Sequence, residues 1–385
     1  MFNKLFSTIF CKSSETANFK RFDVFDGFRG ILALLVVIQH VIVLFHLSGD
    51  YTKFNGIGAS IGVSLLFLLS SFLLTYKIFD QINKTNGELS NIINIMINYF
   101  IRRFFRIYVP YFIFCSWIKH KSYSSEFGLS YETWFDLVTL QRVGRNHLMT
   151  ILVEIRYYFF IPIFAFITYK IQRFFIIWIP LWILINVSIL KFNALGLKDF
   201  LFQYRNEYSY LPHLFLILFN GSLLSFVYYK VENSKLDYSR FKRCRFIFRY
   251  ICIFMILYGA KQGTSHYGKD PLGVHYKWSI YWSLFMFVLL LEGNSNMAEI
   301  LNLKMFKQCG TYSFGIYLMH HEGFALAKYL NEKNFMNETG IEIIALALII
   351  SYIFGMLFYH IVEIPSQNFG NFLIRRLTLF KNKLT

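Results

Sequence analysis

The sequence predicts an all-α integral membrane protein, a bundle of about ten transmembrane helices with both termini in the cytoplasm. Three observations predict it. Of its 385 residues, 56% are hydrophobic and 20% aromatic while only 16% are charged, a balance outside that of soluble globular domains. Apolar runs of spanning length recur from one end of the chain to the other. The basic residues bunch into alternate connections, as expected of loops kept on the cytoplasmic side.

The runs lie at 30–47, 57–79, 104–118, 148–169, 171–190, 212–230, 246–260, 274–292, 309–330 and 341–363. Basic clusters fall in the N-terminal tail, the second connection (Lys77, Lys84, Arg102, Arg103), the fourth (Lys170, Arg173), the sixth (Lys230 to Arg245) and the C-terminal tail (Arg375, Arg376, Lys381, Lys383). Residues 1–22 read as a cytoplasmic tail expected to stay on the mature protein, because no clean apolar core is followed by a small-residue cleavage site. Residues 23–368 form one membrane domain and 369–385 a basic cytoplasmic tail; no linker, repeat or low-complexity tract divides them. Multi-pass insertion in the cell's inner or plasma membrane follows.

Lys and Arg outnumber Asp and Glu, 39 to 22. In a soluble chain that excess would suggest nucleic acid; here loop topology and anionic membrane lipids account for it, and no nucleic acid partner is expected. The five cysteines (Cys11, Cys115, Cys244, Cys252, Cys309) are odd in number and scattered, with no C-x-x-C pair, so neither a disulfide framework nor a structural zinc site is indicated.

The first span carries the most chemistry. In FDGFRGILALLVVIQH, 25–40, Asp26 and Arg29 stand at the mouth and His40 well inside. Hydrocarbon offers an imidazole no partner, so a histidine at that depth faces the bundle interior and marks a functional path. Eleven residues at about 100° each return nearly to the starting direction, so Arg29 and His40 share a helix face ~16 Å apart along the axis. A hydrogen-bonded packing histidine is the competing reading.

Further along, GIGASIGVSLLFLLSSFLLTY is rich in small residues, Ser70 and Ser71 among them, which suits either close helix packing or a ligand passing near the backbone. In NYFIRRFFRIYVPY, the spacing of Arg102, Arg103 and Arg106 presents Arg102 and Arg106 on one face. They are either snorkelling anchors or a phosphate clamp, since guanidinium forks match phosphate oxygens. Pro110 is expected to kink or end that helix. HLMTILVEIRYYFFIP buries Glu154, which needs a partner such as His40, Arg156 or a substrate hydroxyl. Late in the chain, His320 and His321 point about 100° apart on one helix, so at most one comfortably faces a shared cavity; no metal site is expected there. The tenth span ends at Glu363 and Pro365, expected to mark its cytoplasmic exit.

Five segments in order resemble the acyltransferase 3 family of membrane O-acyltransferases: DGFRG with a distant histidine (26–30 and 40), GVSLLFLLSSFLL (62–74), RRFFRIYVPY (102–111), HLMTILVEIRYYFFIP (147–162), and YSFGIYLMHH with a final VEIP (312–321 and 362–365). Together they cover nearly the whole chain. The resemblance implies transfer of an acyl group, most often acetyl from acetyl-CoA, to a hydroxyl of a cell-envelope polysaccharide or glycolipid. No bound cofactor or metal is implied, and acyl-CoA enters as donor substrate. It marks Arg29 and His40 as the catalytic pair, Arg102, Arg103 and Arg106 as the arginine motif that binds the donor, and Glu154 as the acidic motif residue; beside these, Asp26 and Glu154 are expected among the catalytic residues, and His320 and Ser71 toward the substrate. His40 would act as general base or as a transient acyl carrier, with Glu154 orienting its ring. Three departures, Ser71 for a usual Gly, Ile155-Arg156 for Glu-Gln, and Glu322-Gly323 where Pro often follows the late histidine, bear on the acceptor subgroup. Relatives often append an extracytoplasmic hydrolase-like domain; here the membrane domain is expected to deliver acyl directly or through a partner. A homodimer is left open. The rival class is a carrier or exporter of a polysaccharide intermediate with His40, Glu154 and Arg156 as a relay, which would call for paired halves with matching broken helices.

Overall fold

A computed structural model describes residues 22–45, 57–85, 87–120, 131–141, 148–172, 211–233, 246–254, 296–332 and 340–382, with 180, 184, 283, 285 and 286. Every element among them is helical. They are α1 (Asp23–Leu44), α2 (Ile57–Lys84), α3 (Leu89–Arg103), a π turn π1 (Phe104–Tyr108), α4 (Val109–His120), α5 (Tyr131–Val138), α6 (Leu148–Ile171) and α7 (Leu211–Glu232), then α8 (Asn296–Leu301), α9 (Lys304–Thr311), α10 (Ser313–Glu332), α11 (Gly340–Phe358), a second π turn π2 (Tyr359–Glu363) and α12 (Ile364–Asn382). Among the described residues four helices are long and apolar enough to cross a membrane, Val24–Leu44, Ile61–Lys84, Thr150–Ile171 and Ile341–Lys381. The runs expected at 171–190 and 274–292, and part of that at 246–260, lie almost wholly outside the described residues.

The helix that carries Arg29 and His40 is the hub. α1 packs against α2, α8, α9, α10 and α11. Its mouth is held backbone to backbone: a Cβ on Gly27 would stand 1.6 Å from the Leu301 carbonyl oxygen, and one on Gly310 1.7 Å from that of Asp26. Small residues permit such approach in lipid, where packing rather than water expulsion drives helix association. The glycine of the DGFRG motif is thus a contact that fixes the turn bearing Asp26 and Arg29.

Pro110 and Pro365 do not end their helices. Each is the second residue of an α-helix that follows directly on a π turn, π1 before Val109-Pro110 and π2 before Ile364-Pro365. A proline cannot donate to the carbonyl four residues back, and an i→i+5 turn just ahead absorbs that loss without breaking the rod. Residues 369–382, expected as part of a tail after the last span, therefore continue the same helix. The two π turns are also drawn together by their neighbours: Ser366 donates its hydroxyl to the Phe105 carbonyl, and the Phe105 and Phe369 rings meet edge to face at 5.4 Å.

Candidate active site

A cavity of about 460 Å³ opens between α1, α2, the end of α3, π1, α6 and α10. Arg29, Lys77, Arg103 and Arg106 bring four cations to its wall, and Asp26 and Glu154 the carboxylates. Arg29 and Asp26 pair loosely at 3.3 Å, with Asp26 half exposed. Arg103 is desolvated: burial, and then the neighbouring Arg106 charge, lower its pKa from the ordinary arginine value. Its Nε is buried and has no hydrogen-bond partner among the described residues. Like charges gathered this way repel unless an anion joins them, and guanidinium donors left over are what a phosphate would use.

A second cavity, of about 320 Å³, adjoins the first through shared walls at Leu74, Lys77 and Arg103. Arg102 lines this one, with Lys84, rather than joining Arg106. Arg102 and Arg103 are neighbours on α3 and face about 100° apart, so they turn toward different walls. Arg103 and Arg106 are the pair that faces inward.

Glu154 belongs to the arginine cavity. Its Oε1 accepts from the Tyr158 hydroxyl at 2.5 Å, and the Ser70 hydroxyl is a second partner. The expected alternatives, Arg156 and His40, are engaged elsewhere: Arg156 donates to the Leu140 carbonyl at 3.1 Å, and His40 Nδ1 donates to the Val36 carbonyl at 2.9 Å. The pairing of Glu154 with Tyr158 is an i, i+4 contact that spacing alone could have suggested. Ser71, expected toward substrate, is fully buried, bonded to the Phe67 and Leu68 carbonyls, and turned toward Gly221 of α7. One residue earlier on the helix, Ser70 lines the cavity instead. Neighbours on a helix face about 100° apart, and the helix chose the other serine.

His40 sits deeper, in a different company. Its ring lies 5.1 Å from that of His320 and 5.6 Å from that of His321, centroid to centroid, and the two α10 rings are 4.4 Å apart. Adjacent histidines do converge here, against the expectation from helical spacing, because α1 crosses α10 where both side chains can lean toward it. His320 is fully buried, and its Nδ1 donates to the Tyr317 carbonyl at 2.8 Å. Tyr317 in turn lines the arginine cavity, its hydroxyl 2.5 Å from that of Thr150. The histidine cluster therefore lies one helical turn beyond the cavity wall. Arg29 and His40, one face of one helix, serve two compartments joined at Tyr317.

A family model described as an acyltransferase domain matches residues 22–361. The chain belongs to the acyltransferase 3 family. It is a membrane acyltransferase, all-helical throughout its described residues, and the match spans every residue just placed in the cavity and the histidine cluster. No curated protein and no solved structure matches the chain.

Tyr158, Tyr317 and Thr150 were not singled out from the sequence, and Ser70 and Lys77 only as a small residue of the second span and a basic residue of the second connection. Ser70 and Lys77 are seven apart on α2 and so share a face, a signal that spacing does contain. Tyr317 and Thr150 meet across 167 positions of chain, and nothing local announces that contact.

Proposed function

We propose that this acyltransferase is acyl-CoA-dependent and moves an acyl group, acetyl in the first instance, to a hydroxyl of a cell-surface polysaccharide or glycolipid from the inner or plasma membrane. The observation that carries the reading is the cavity where Arg29, Arg103, Arg106 and Lys77 converge, with a buried guanidinium donor still to be satisfied. A diphosphate fits that wall. Ten spans with cytoplasmic termini would place the cavity mouth toward cytoplasmic acyl-CoA, whose pantetheine arm then runs along α1 toward Tyr317 and the histidines. The ~16 Å from Arg29 to His40 suits such an arm.

His40 is the base in this scheme. With its Nδ1–H committed to Val36, the lone pair is on Nε2. Nε2 takes the proton of the acceptor hydroxyl as its oxygen bonds to the thioester carbon. The carbon–sulfur bond then breaks, CoA leaves as thiolate, and the imidazolium returns the proton to it. Where Nε2 attacks the thioester instead, the carbon–sulfur bond breaks, CoA leaves as thiolate and an acyl-histidine forms; the acceptor hydroxyl takes the acyl group in a second step, frees Nε2, and its proton passes to the thiolate. Glu154 and Tyr158 keep the arginine wall in register and do not touch the imidazole.

The test is acetyl transfer from labelled acetyl-CoA in membranes holding equal amounts of wild type and His40→Ala, with O-acetyl content of isolated envelope polysaccharide as readout. Loss of about 10²-fold or more is expected of a missing base. Unchanged acetylation in the variant would remove His40 from the chemistry. No transfer by the wild type would point to another donor.

A further inference from the structure

Three imidazoles inside a helix bundle need explaining beyond one base. One ring nitrogen from each of His40, His320 and His321 lies within 4.8 Å of the others. In His40 and His320, Nδ1 donates to a main-chain carbonyl, Val36 and Tyr317 respectively, which fixes the tautomer and leaves Nε2 as the lone-pair nitrogen. A ligating histidine characteristically binds its other ring nitrogen to a carbonyl in this way.

We infer that His40, His320 and His321 form a three-imidazole site for a borderline divalent ion, zinc foremost, and that occupancy switches the enzyme off. Imidazole suits zinc, and three protein ligands with an open fourth position is a geometry zinc adopts. Zinc–nitrogen bonds of about 2.0–2.1 Å set ligand nitrogens roughly 3.4 Å apart in a tetrahedron, so the rings need only lean inward by an ångström or so. Neutral imidazoles leave the ion's charge uncompensated in a low-dielectric interior, and the fourth ligand is accordingly an anion, hydroxide at neutral pH. The inhibitory half rests on the reading of His40 as base: an ion bound at Nε2 occupies the lone pair that would take the acceptor's proton. No bond to substrate is made or broken in this state.

The full-length protein, purified in detergent after chelation, is titrated with Co²⁺ and then Zn²⁺ while visible absorption is followed, and acetyl transfer is measured with and without Zn²⁺. One equivalent of Co²⁺ should give tetrahedral bands that Zn²⁺ removes. Transfer by the wild type should fall more than about tenfold in Zn²⁺ and recover with chelator. In His321→Gln the bands should be lost and the ratio of rates with and without Zn²⁺ should approach one. X-ray absorption of the zinc-loaded wild type, which needs no variant, should count three imidazoles. Absence of stoichiometric Co²⁺ binding, or fewer than three imidazoles, would end the inference and leave the acyltransferase reading standing. Zinc bound by three imidazoles without slowing transfer would overturn the switch and take His40 out of the proposed chemistry. Acceleration by zinc would overturn inhibition as well.

Discussion

The arginine cavity and the histidine cluster are built on the same helix and could hardly differ more. The first is open, walled by charge, and assembled from α1, α2, the end of α3, π1, α6 and α10; the second is packed and made where α1 crosses α10. An open cationic wall is suited to holding a multiply charged donor at modest cost, because water and counter-ions share the load. A buried imidazole group is suited to proton or metal chemistry, where low dielectric makes each interaction count for more. The division argues that donor affinity and chemical rate are carried by separate residues.

Kinetics can break that division. His40→Ala should lower kcat by about 10²-fold or more while leaving donor KM near the wild-type value. Arg106→Ala should do the reverse, raising donor KM roughly 10- to 100-fold for the loss of a charge-assisted phosphate contact, with Arg106→Lys recovering only part of it. Equal effects of the two variants on kcat and KM would mean the compartments act as one.

Stability offers a second comparison, between the mouth and the interior. In Gly27→Ala a methyl would stand 1.6 Å from the Leu301 carbonyl oxygen, and since that obstacle is backbone, α1 and α8 must part. A loss of about 1–3 kcal/mol is expected, read as a lower thermal midpoint in detergent. The same midpoint in variant and wild type would mean that the contact is not made. The smallest effect is expected of Tyr158→Phe, which removes one hydrogen bond to Glu154 and leaves Ser70. Removing a bond worth about 1 kcal/mol predicts roughly a fivefold rise in donor KM with kcat unchanged. A change confined to kcat would instead tie Glu154 to the histidines.

Much was legible along the chain. Asp26, Arg29, Glu154, Arg103 and Arg106 were named from the sequence, and the cavity gathers them. Arg102 and Ser71 stand one position from Arg103 and Ser70, which line it, since helical spacing says which residues share a face but not toward what the face turns. His321 was set aside on the same grounds, and the crossing of α1 with α10 drew it in.

By itself the sequence determined the membrane class, the family, and the residues that could do chemistry, because an ionisable side chain in an apolar run is costly enough to stand out one residue at a time. The tertiary structure alone decided how they are grouped. Whether a given arginine meets Glu154, and whether an imidazole has one neighbour or two, depends on helix crossings fixed by contacts such as Gly27 with Leu301 and by two π turns ahead of prolines. Those contacts join segments hundreds of residues apart, and no local pattern encodes them.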